Sequence, residues 1–264
     1  MPEGHTIHRH ARMHAAELGG QRLAVSSPQG WASDAAQAVD GKVLTNVDAY
    51  GKHLLYRFED DLSVHVHLGL FGGFRRYKLP GPPARETTRL RFIGDERGMD
   101  LAGAVISQLI DPAEEDALMA RLGPDPLRRH ARADRMRAAL ARRKGPIGGA
   151  LLDQSVIAGL GNVYRAEILF ACGIDPLREA RSLSVDEVTQ IWKAAKKMLA
   201  EGERSGKIVT VPRREAGKAP SKLTGKDRHQ VYKRERCRRC GTPVRSQTVA
   251  TRTLFWCPNC QAAR

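Results

Sequence analysis

Apolar positions along the chain change period twice. From His5 to Leu18, the positions Ile7, Ala11, His14 or Ala15, and Leu18 recur at helical spacing, and Gly19-Gly20 marks a stop. Between residues 21 and 102 the pattern turns to short alternating stretches such as KVLTNVDAY, HLLYRF, LSVHVHLGL and RLRFIG, broken by Gly, Asp and Pro. Strands that short and closely spaced predict an antiparallel sandwich or barrel rather than βαβ units. Three prolines in DPAEEDALMARLGPDPL, residues 111–127, mark a domain boundary. Helical periodicity then returns over 136–143, over 163–173 up to Gly173, and from a Ser184/Glu187 capping box to about Glu203.

The fold class is therefore α+β. Its expected parts are an N-terminal helix and β-sandwich over 1–112, a linker over 113–126, a helical domain over 127–230 and a cysteine-rich module over 231–264. Residues 205–236 are basic, poor in large apolar side chains and rich in Gly and Pro. That composition predicts a mobile loop, assigned to 205–230 of the helical domain.

The 264 residues, 41% of them hydrophobic, suffice for a sizeable core. The net charge of +15 points to a polyanionic partner. It is concentrated: residues 201–264 hold 16 Lys or Arg against 5 Asp or Glu. No apolar run approaches the roughly 20 residues of a membrane helix, and the start lacks the apolar stretch of a secretory signal. A cytosolic protein is expected, and in a reducing compartment its five cysteines suit metal ligands or buried thiols better than disulfides. The helix over 5–18 presents four histidines. With no carboxylate set beside them, a partly exposed basic face fits them better than a metal site.

Four of the cysteines form two pairs, Cys237-x2-Cys240 and Cys257-x2-Cys260, separated by 16 residues. This spacing matches a two-knuckle, four-thiolate zinc ribbon with one structural ion. No βαβ context supports a redox dithiol. The intervening TPVRSQTVATRTLFW alternates as a hairpin would, with turn-prone Ala250-Thr251 at its middle. Arg252 on that hairpin is either a phosphate-gripping guanidinium or an ordinary surface arginine.

The chain begins Met1-Pro2-Glu3-Gly4. Removal of Met1 would leave Pro2 as a secondary amine whose pKa, near the reference of roughly 7.7–8.0, keeps a nucleophilic fraction at neutral pH. Such an amine can attack a sugar C1′ and form an iminium, with Glu3 beside it to move protons. Pro at position 2 is common, and alone it carries little.

In combination the segments say more. PEG at the start, GKHLLY at 51–56, HLGLFG at 67–72, GPDPL at 123–127, LLDQSVIAGLGNVYRAEIL at 151–169, and VYKRERCRRCGTPV followed by TRTLFWCPNCQ together resemble the formamidopyrimidine-DNA glycosylase and endonuclease VIII family over nearly the whole chain. The resemblance implies a helix-two-turn-helix DNA-binding domain between the sandwich and the zinc ribbon. It makes Pro2 the nucleophile, Glu3 the acid that assists base loss and elimination, and Lys52 a loop lysine that contacts DNA and supports catalysis. Asn162 falls in the helix-two-turn-helix turn, Arg252 on the zinc-hairpin arginine that grips phosphates, and Arg121 on a basic DNA contact. Leu70 and Phe71 fall on the loop that fills the gap left by an extruded nucleotide, the alternative for both being ordinary sandwich core. One departure stands out: where the family carries a second glutamate, this chain has Thr6, preceded by His5.

The implied activity is that of a bifunctional glycosylase/lyase acting on damaged double-stranded DNA, as a monomer in the bacterial cytosol near the nucleoid, with no small-molecule cofactor. The PEG start and the LFG at 70–72 resemble the endonuclease VIII branch, which favours oxidised pyrimidines. An 8-oxoguanine/formamidopyrimidine glycosylase and a non-catalytic DNA-binding protein on the same scaffold are the alternatives.

Overall fold

A computed structural model describes residues 2–262 apart from 218, 220 and 221. The chain divides into two compact units, Met1–Arg121 and Leu122–Arg264.

The first unit opens with helix α1 (Gly4–Leu18), followed by β1 (Ala24–Ser26), α2 (Ser33–Val39), β2 (Leu44–Tyr50), β3 (His53–Phe58), β4 (Ser63–His67), β5 (Gly73–Lys78), β6 (Thr88–Ile93), β7 (Arg97–Ala102) and β8 (Ile106–Ile110). The strands form two four-stranded antiparallel sheets, ordered β1-β6-β7-β5 and β2-β3-β4-β8. The alternation read from the sequence is what makes them pack: Leu90, Phe92, Met99 and Leu101 of one sheet meet Leu54, Tyr56, Val64 and Val66 of the other in one core. The rings of Tyr56 and Phe92 stack across it at 5.2 Å. Helix α1 adds Ile7, Ala11 and Leu18 to the same core.

The histidine face of α1, expected to be partly exposed, is so at His8 and His10, which are half-buried, while His5 and His14 are buried. His14 is fully buried. Its Nδ1 lies 2.7 Å from the Tyr56 hydroxyl, and its ring meets Phe74 edge-on at 4.6 Å. The phenol meets the ring at Nδ1 and the aromatic pocket packs it, while its buried Nε2 has no hydrogen-bond partner among the described residues.

Where a linker is expected over 113–126, the chain forms a helix, α3 (Pro112–Arg121). Asp111 and Glu114 cap it reciprocally: Glu114 N–H donates to Asp111 Oδ1 at 2.7 Å, and Asp111 N–H donates to Glu114 Oε2 at 3.0 Å. Pro112, a helix breaker in an interior, is tolerated in a first turn because its missing N–H has no intrahelical partner there. Leu118 of α3 packs with Leu55 and Ile110 on the outer face of the β2-β3-β4-β8 sheet.

The second unit holds α4 (Asp134–Leu140), α5 (Ile147–Ala150), α6 (Asn162–Cys172) and α7 (Val185–Ser205) around a core that includes Met136, Ile147, Leu160, Tyr164, Ile168, Ile191 and Leu199. The Ser184/Glu187 capping box starts α7, and Gly173 ends α6 in the left-handed region at φ 67°. A short helix α8 (Arg213–Ala216) and a 3-10 turn over 225–228 follow. The described residues of the segment expected to be a mobile loop thus carry local structure, with Val211, Ala216 and Leu223 in a small cluster of their own. Residues 218, 220 and 221 of that loop lie outside the described residues. The unit ends in the hairpin β9 (Arg245–Val249) and β10 (Arg252–Trp256).

Candidate active site and nucleic-acid contacts

The start of the chain sits at the N-terminus of a long, core-anchored helix. Glu3 is the N-cap of α1, extended at φ −121° and ψ 175° and fully buried, and its carbonyl accepts the Thr6 N–H at 2.8 Å. Pro2, half-buried, precedes it; Met1, whose removal is expected, lies outside the described residues. The positive end of the helix dipole lies beside both groups. It favours the ionised form of a carboxylate and the neutral, nucleophilic form of an amine. Where the second carboxylate is expected, Thr6 Oγ1 lies 3.1 Å from His5 Nε2. Burial pushes His5 down to about 4, so its ring is neutral at physiological pH.

Lys52 stands in the two-residue turn between β2 and β3, where Tyr50 pairs with His53 and Gly51 takes φ 57°. Its charge acts on His53 and His67, the residues that begin β3 and end β4. Lys52 is thus a hairpin-turn residue.

Leu70 and Phe71 are outside the core, 41% and 91% exposed. They cap a tight loop in which Gly72 N–H donates to the Leu68 carbonyl at 2.9 Å, and a Cβ on Gly72 would come within 2.3 Å of that oxygen. The loop thus holds two large apolar side chains out in water, an arrangement that favours an insertion role. Arg121, exposed, is the last residue of α3.

In the second unit, the Gln154 side chain stitches the turn that leads into α6. It donates to the Leu152 and Leu160 carbonyls at 2.8 and 3.0 Å and accepts the Gly159 N–H at 3.0 Å. Asn162 begins the helix. Its Nδ2 donates to the Thr253 carbonyl at 2.9 Å, and its Oδ1 accepts from Arg165 Nε at 2.9 Å. Its side chain is therefore turned toward the zinc hairpin, a direction that the sequence alone did not suggest.

Arg165 is the residue that sequence reasoning missed. It is fully buried. Besides Asn162 it donates to the Gly148 carbonyl at 2.9 Å, the Val249 carbonyl at 3.3 Å and the Arg252 carbonyl at 2.9 Å. One guanidinium thereby joins α5, α6 and both ends of the hairpin turn. Two residues on, buried Glu167 accepts the backbone N–H groups of Gln230, Val231 and Tyr232 at 2.8–2.9 Å, and the Thr210 hydroxyl. A signal was present: α6 is apolar on both sides, with Tyr164 and Ile168 in one core and Val163 and Phe170 in another. Charges in a helix buried on both sides must be met by hydrogen bonds.

Ala250 and Thr251 turn the hairpin with positive φ of 51° and 63°, at the two positions where a two-residue turn of this hand needs them. Arg252 follows, its backbone held by Arg165 and its side chain exposed. Below the hairpin the four cysteine sulfurs lie within 4.8 Å of one another, with Cys237–Cys260 at 3.9 Å and Cys240 at 3.5 Å from both Cys257 and Cys260. Four thiolates at about 2.3 Å around a tetrahedral zinc stand about 3.8 Å apart. The donor set fits one structural zinc ion and leaves no ligand position for water.

Residues 1–103 match the formamidopyrimidine-DNA glycosylase N-terminal domain, residues 122–212 the formamidopyrimidine-DNA glycosylase H2TH domain, and residues 234–263 the zinc finger found in FPG and IleRS. The chain is 42% identical over 268 residues to endonuclease 8 1 of Mycobacterium tuberculosis, covering 99% of this chain and 100% of the relative. It is 33% identical over 228 residues to formamidopyrimidine-DNA glycosylase of Thermus thermophilus, covering 84% of each. Among solved structures, the Lactococcus lactis Fpg (MutM) in complex with N7-benzyl-Fapy-dG-containing DNA shares the fold, with a TM-score of 0.82 at 22% identity over 99% of this chain and 100% of that one. Sandwich, helical domain and zinc finger thus each match the same group of proteins in the same order along one polypeptide, and the chain belongs to the formamidopyrimidine-DNA glycosylase family.

Proposed function

We propose that this protein is a base-excision-repair enzyme, a bifunctional DNA glycosylase and AP lyase that removes oxidised bases from duplex DNA. The observation that carries the reading is the pairing of Pro2 with buried Glu3 at the positive end of α1, in a domain of this family.

With Met1 removed, the Pro2 nitrogen attacks C1′ of the damaged nucleotide and the C1′–N bond to the base breaks. Glu3 assists by proton transfer as the base leaves. Opening of the sugar gives an iminium between Pro2 and C1′, which acidifies the C2′ protons. Loss of one expels the 3′ phosphate, a second elimination expels the 5′ phosphate, and water releases Pro2. The covalent iminium splits one difficult step into easier ones. Lys52 supplies positive charge at the phosphates, and Arg252 and the α6 turn around Asn162 grip the backbone. Leu70 and Phe71 fill the stack that the flipped nucleotide vacates. Zinc, when bound, holds the hairpin shape that presents Arg252 and takes no part in the chemistry.

Oxidised pyrimidines are the preferred substrates. What supports this is the full-length similarity to a relative named endonuclease 8, at higher identity than to those named formamidopyrimidine-DNA glycosylase. Borohydride reduction with abasic, thymine-glycol and 8-oxoguanine duplexes tests both levels. A covalent adduct is expected with protein whose intact mass lacks Met1, lost in Pro2→Gly, and formed faster with thymine glycol than with 8-oxoguanine. Tight duplex binding with no adduct on any substrate would make the chain a DNA-binding protein without chemistry.

A further inference from the structure

A stretch of dense positive charge in the second unit lies outside the site described above. Residues 128–144 hold eight Lys or Arg against one acid, Asp134. All of these cations except half-buried Arg128 are exposed. Helix α4 runs through the middle of the stretch. Its Met136 and Leu140 are buried in the core of the unit, which anchors the helix and leaves Arg135 and Arg137 in solvent.

The strap that follows α4 is held as firmly. The Arg143 carbonyl accepts the Arg181 N–H at 3.0 Å, the Gly145 carbonyl accepts the Ala180 N–H at 2.9 Å, and the Ile147 N–H donates to the Arg178 carbonyl at 2.8 Å. Pro146 and Glu179 form an antiparallel bridge within this short ladder. Arg142, Arg143 and Lys144 are thus carried on pinned backbone, and such cations lose less freedom on meeting a ligand than cations on a loose loop. Acids neutralise little of the charge. Asp134 is shared between Arg132 at 3.1 Å and Arg137 at 3.3 Å, and Asp153 takes Arg143 at 2.5 Å. Exposed pairs of this kind contribute little and open readily. Among the described residues no acid pairs with Arg129, Arg142 or Lys144.

The strap also lies beside the zinc hairpin. A cavity of about 480 Å³ is lined by Arg143, Gly145 and Pro146 of the strap, by Leu152 and Asp153, and by Val249 and Ala250 of the hairpin. A Cβ on Gly149 of α5 would stand 3.4 Å from Val249 Cγ1, so α5 and the hairpin are in near contact. Ala250 is two residues before Arg252. The cationic stretch is therefore continuous in space with the hairpin proposed to contact DNA.

We propose that residues 128–144 form a second phosphodiester-binding surface, which takes the duplex flank beyond the segment gripped at Arg252. Seven of the eight cations are arginines, whose planar fork binds two phosphate oxygens at once. Each strand of a duplex carries one phosphate per roughly 3.4 Å of axis, a regular ladder of charge for a run of cations leading from the hairpin turn along the strap to α4. Contacts to phosphate alone carry no sequence information, so the surface adds affinity and not base choice. The proposal rests on the chain binding duplex DNA as proposed above, and adds to it a dependence on the length of the flank.

The test compares two duplexes, about 10 and about 30 base pairs long, each with a central tetrahydrofuran abasic analogue that cannot form the iminium. Binding is followed by anisotropy as a function of salt, for wild type and for the triple variant Arg129→Gln, Arg142→Gln, Lys144→Gln. All three positions are exposed and unpaired, and an unchanged thermal midpoint verifies that the variant folds. Wild type is expected to bind the long duplex more tightly and with the steeper salt dependence. If each replaced cation meets one phosphate, the variant's slope on the long duplex is shallower by about 2.7, so that between about 50 and about 200 mM salt wild type loses about 40-fold more affinity than the variant. On the short duplex the two proteins bind alike. Equal slopes on the long duplex overturn the proposal, as does an equal loss on both duplexes, which would place these cations at the lesion and not on the flank. A length-dependent slope with no borohydride adduct on any substrate would leave the surface standing and remove the enzymatic function, while no binding of wild type to either duplex would remove both.

Discussion

Replacing Arg165 by Met, which nearly preserves its volume, separates the architecture of the hairpin proposed to contact DNA from its surface charge. The guanidinium is fully buried and donates to Asn162 Oδ1 and to the carbonyls of Gly148, Val249 and Arg252 at 2.9–3.3 Å. A hydrogen bond from a charged donor contributes about 1.5–3 kcal/mol, but the four oxygens share one cation whose own burial is costly. The net loss on breaking such a buried hub is therefore about 3–5 kcal/mol, a large part of a typical stability of about 5–15 kcal/mol. Because two of the acceptors flank the Ala250-Thr251 turn, the loss falls where Arg252 is positioned. Urea denaturation should show the destabilisation. Binding of the tetrahydrofuran duplex as a function of salt should show a slope shallower by about one phosphate contact, as in Arg252→Ala. Leu199→Ala, a core truncation costing about 2–5 kcal/mol, is the control and should leave the salt slope of the folded fraction unchanged. An Arg165→Met protein with the wild-type slope would refute the idea that this guanidinium aims the hairpin.

Cys240→Ser should release zinc, measured by metal analysis, and abolish duplex binding; stoichiometric metal with unchanged binding would remove the ribbon from the DNA interface. The buried histidines should make the first unit acid-labile. Burial pushes His5 and His10 down to about 4, so the unfolded chain takes up protons first, and stability that is complete above pH 6.5 is lost as pH falls toward 4. At pH 5 each costs about 2 kcal/mol, so the urea midpoint should drop steeply between pH 7 and pH 5, and equal midpoints at the two would contradict the neutral rings.

Much of this architecture was legible because its signals are local. A capping serine with a glutamate three residues on, a glycine after a helical run and two CxxC pairs at ribbon spacing each act within a few residues, and the structure contains the capped α7, the left-handed end of α6 and the clustered thiols. Even α3 was locally encoded, by Asp111 with Glu114, but three nearby prolines carried the opposite weight. The unread features were set at long range. Nothing near His14 in the chain reveals Tyr56, 42 positions away, as its partner, and nothing near Arg165 reveals carbonyls 84 and 87 positions ahead.

The segment NVYRAEILF shows why a motif can identify a family while hiding its own mechanics. Its apolar residues divide between two cores, a placement that a single helical stripe does not produce. With both sides dry, the two charged residues cannot reach water, so each must find a built partner: Arg165 the hairpin, Glu167 the amides of residues 230–232. The helix thereby fixes the two approaches to the zinc site, one through each charge. A substitution at either position is therefore expected to act on the proposed DNA contacts without touching them, through the backbone that carries Arg252 or through the segment that leads to Cys237.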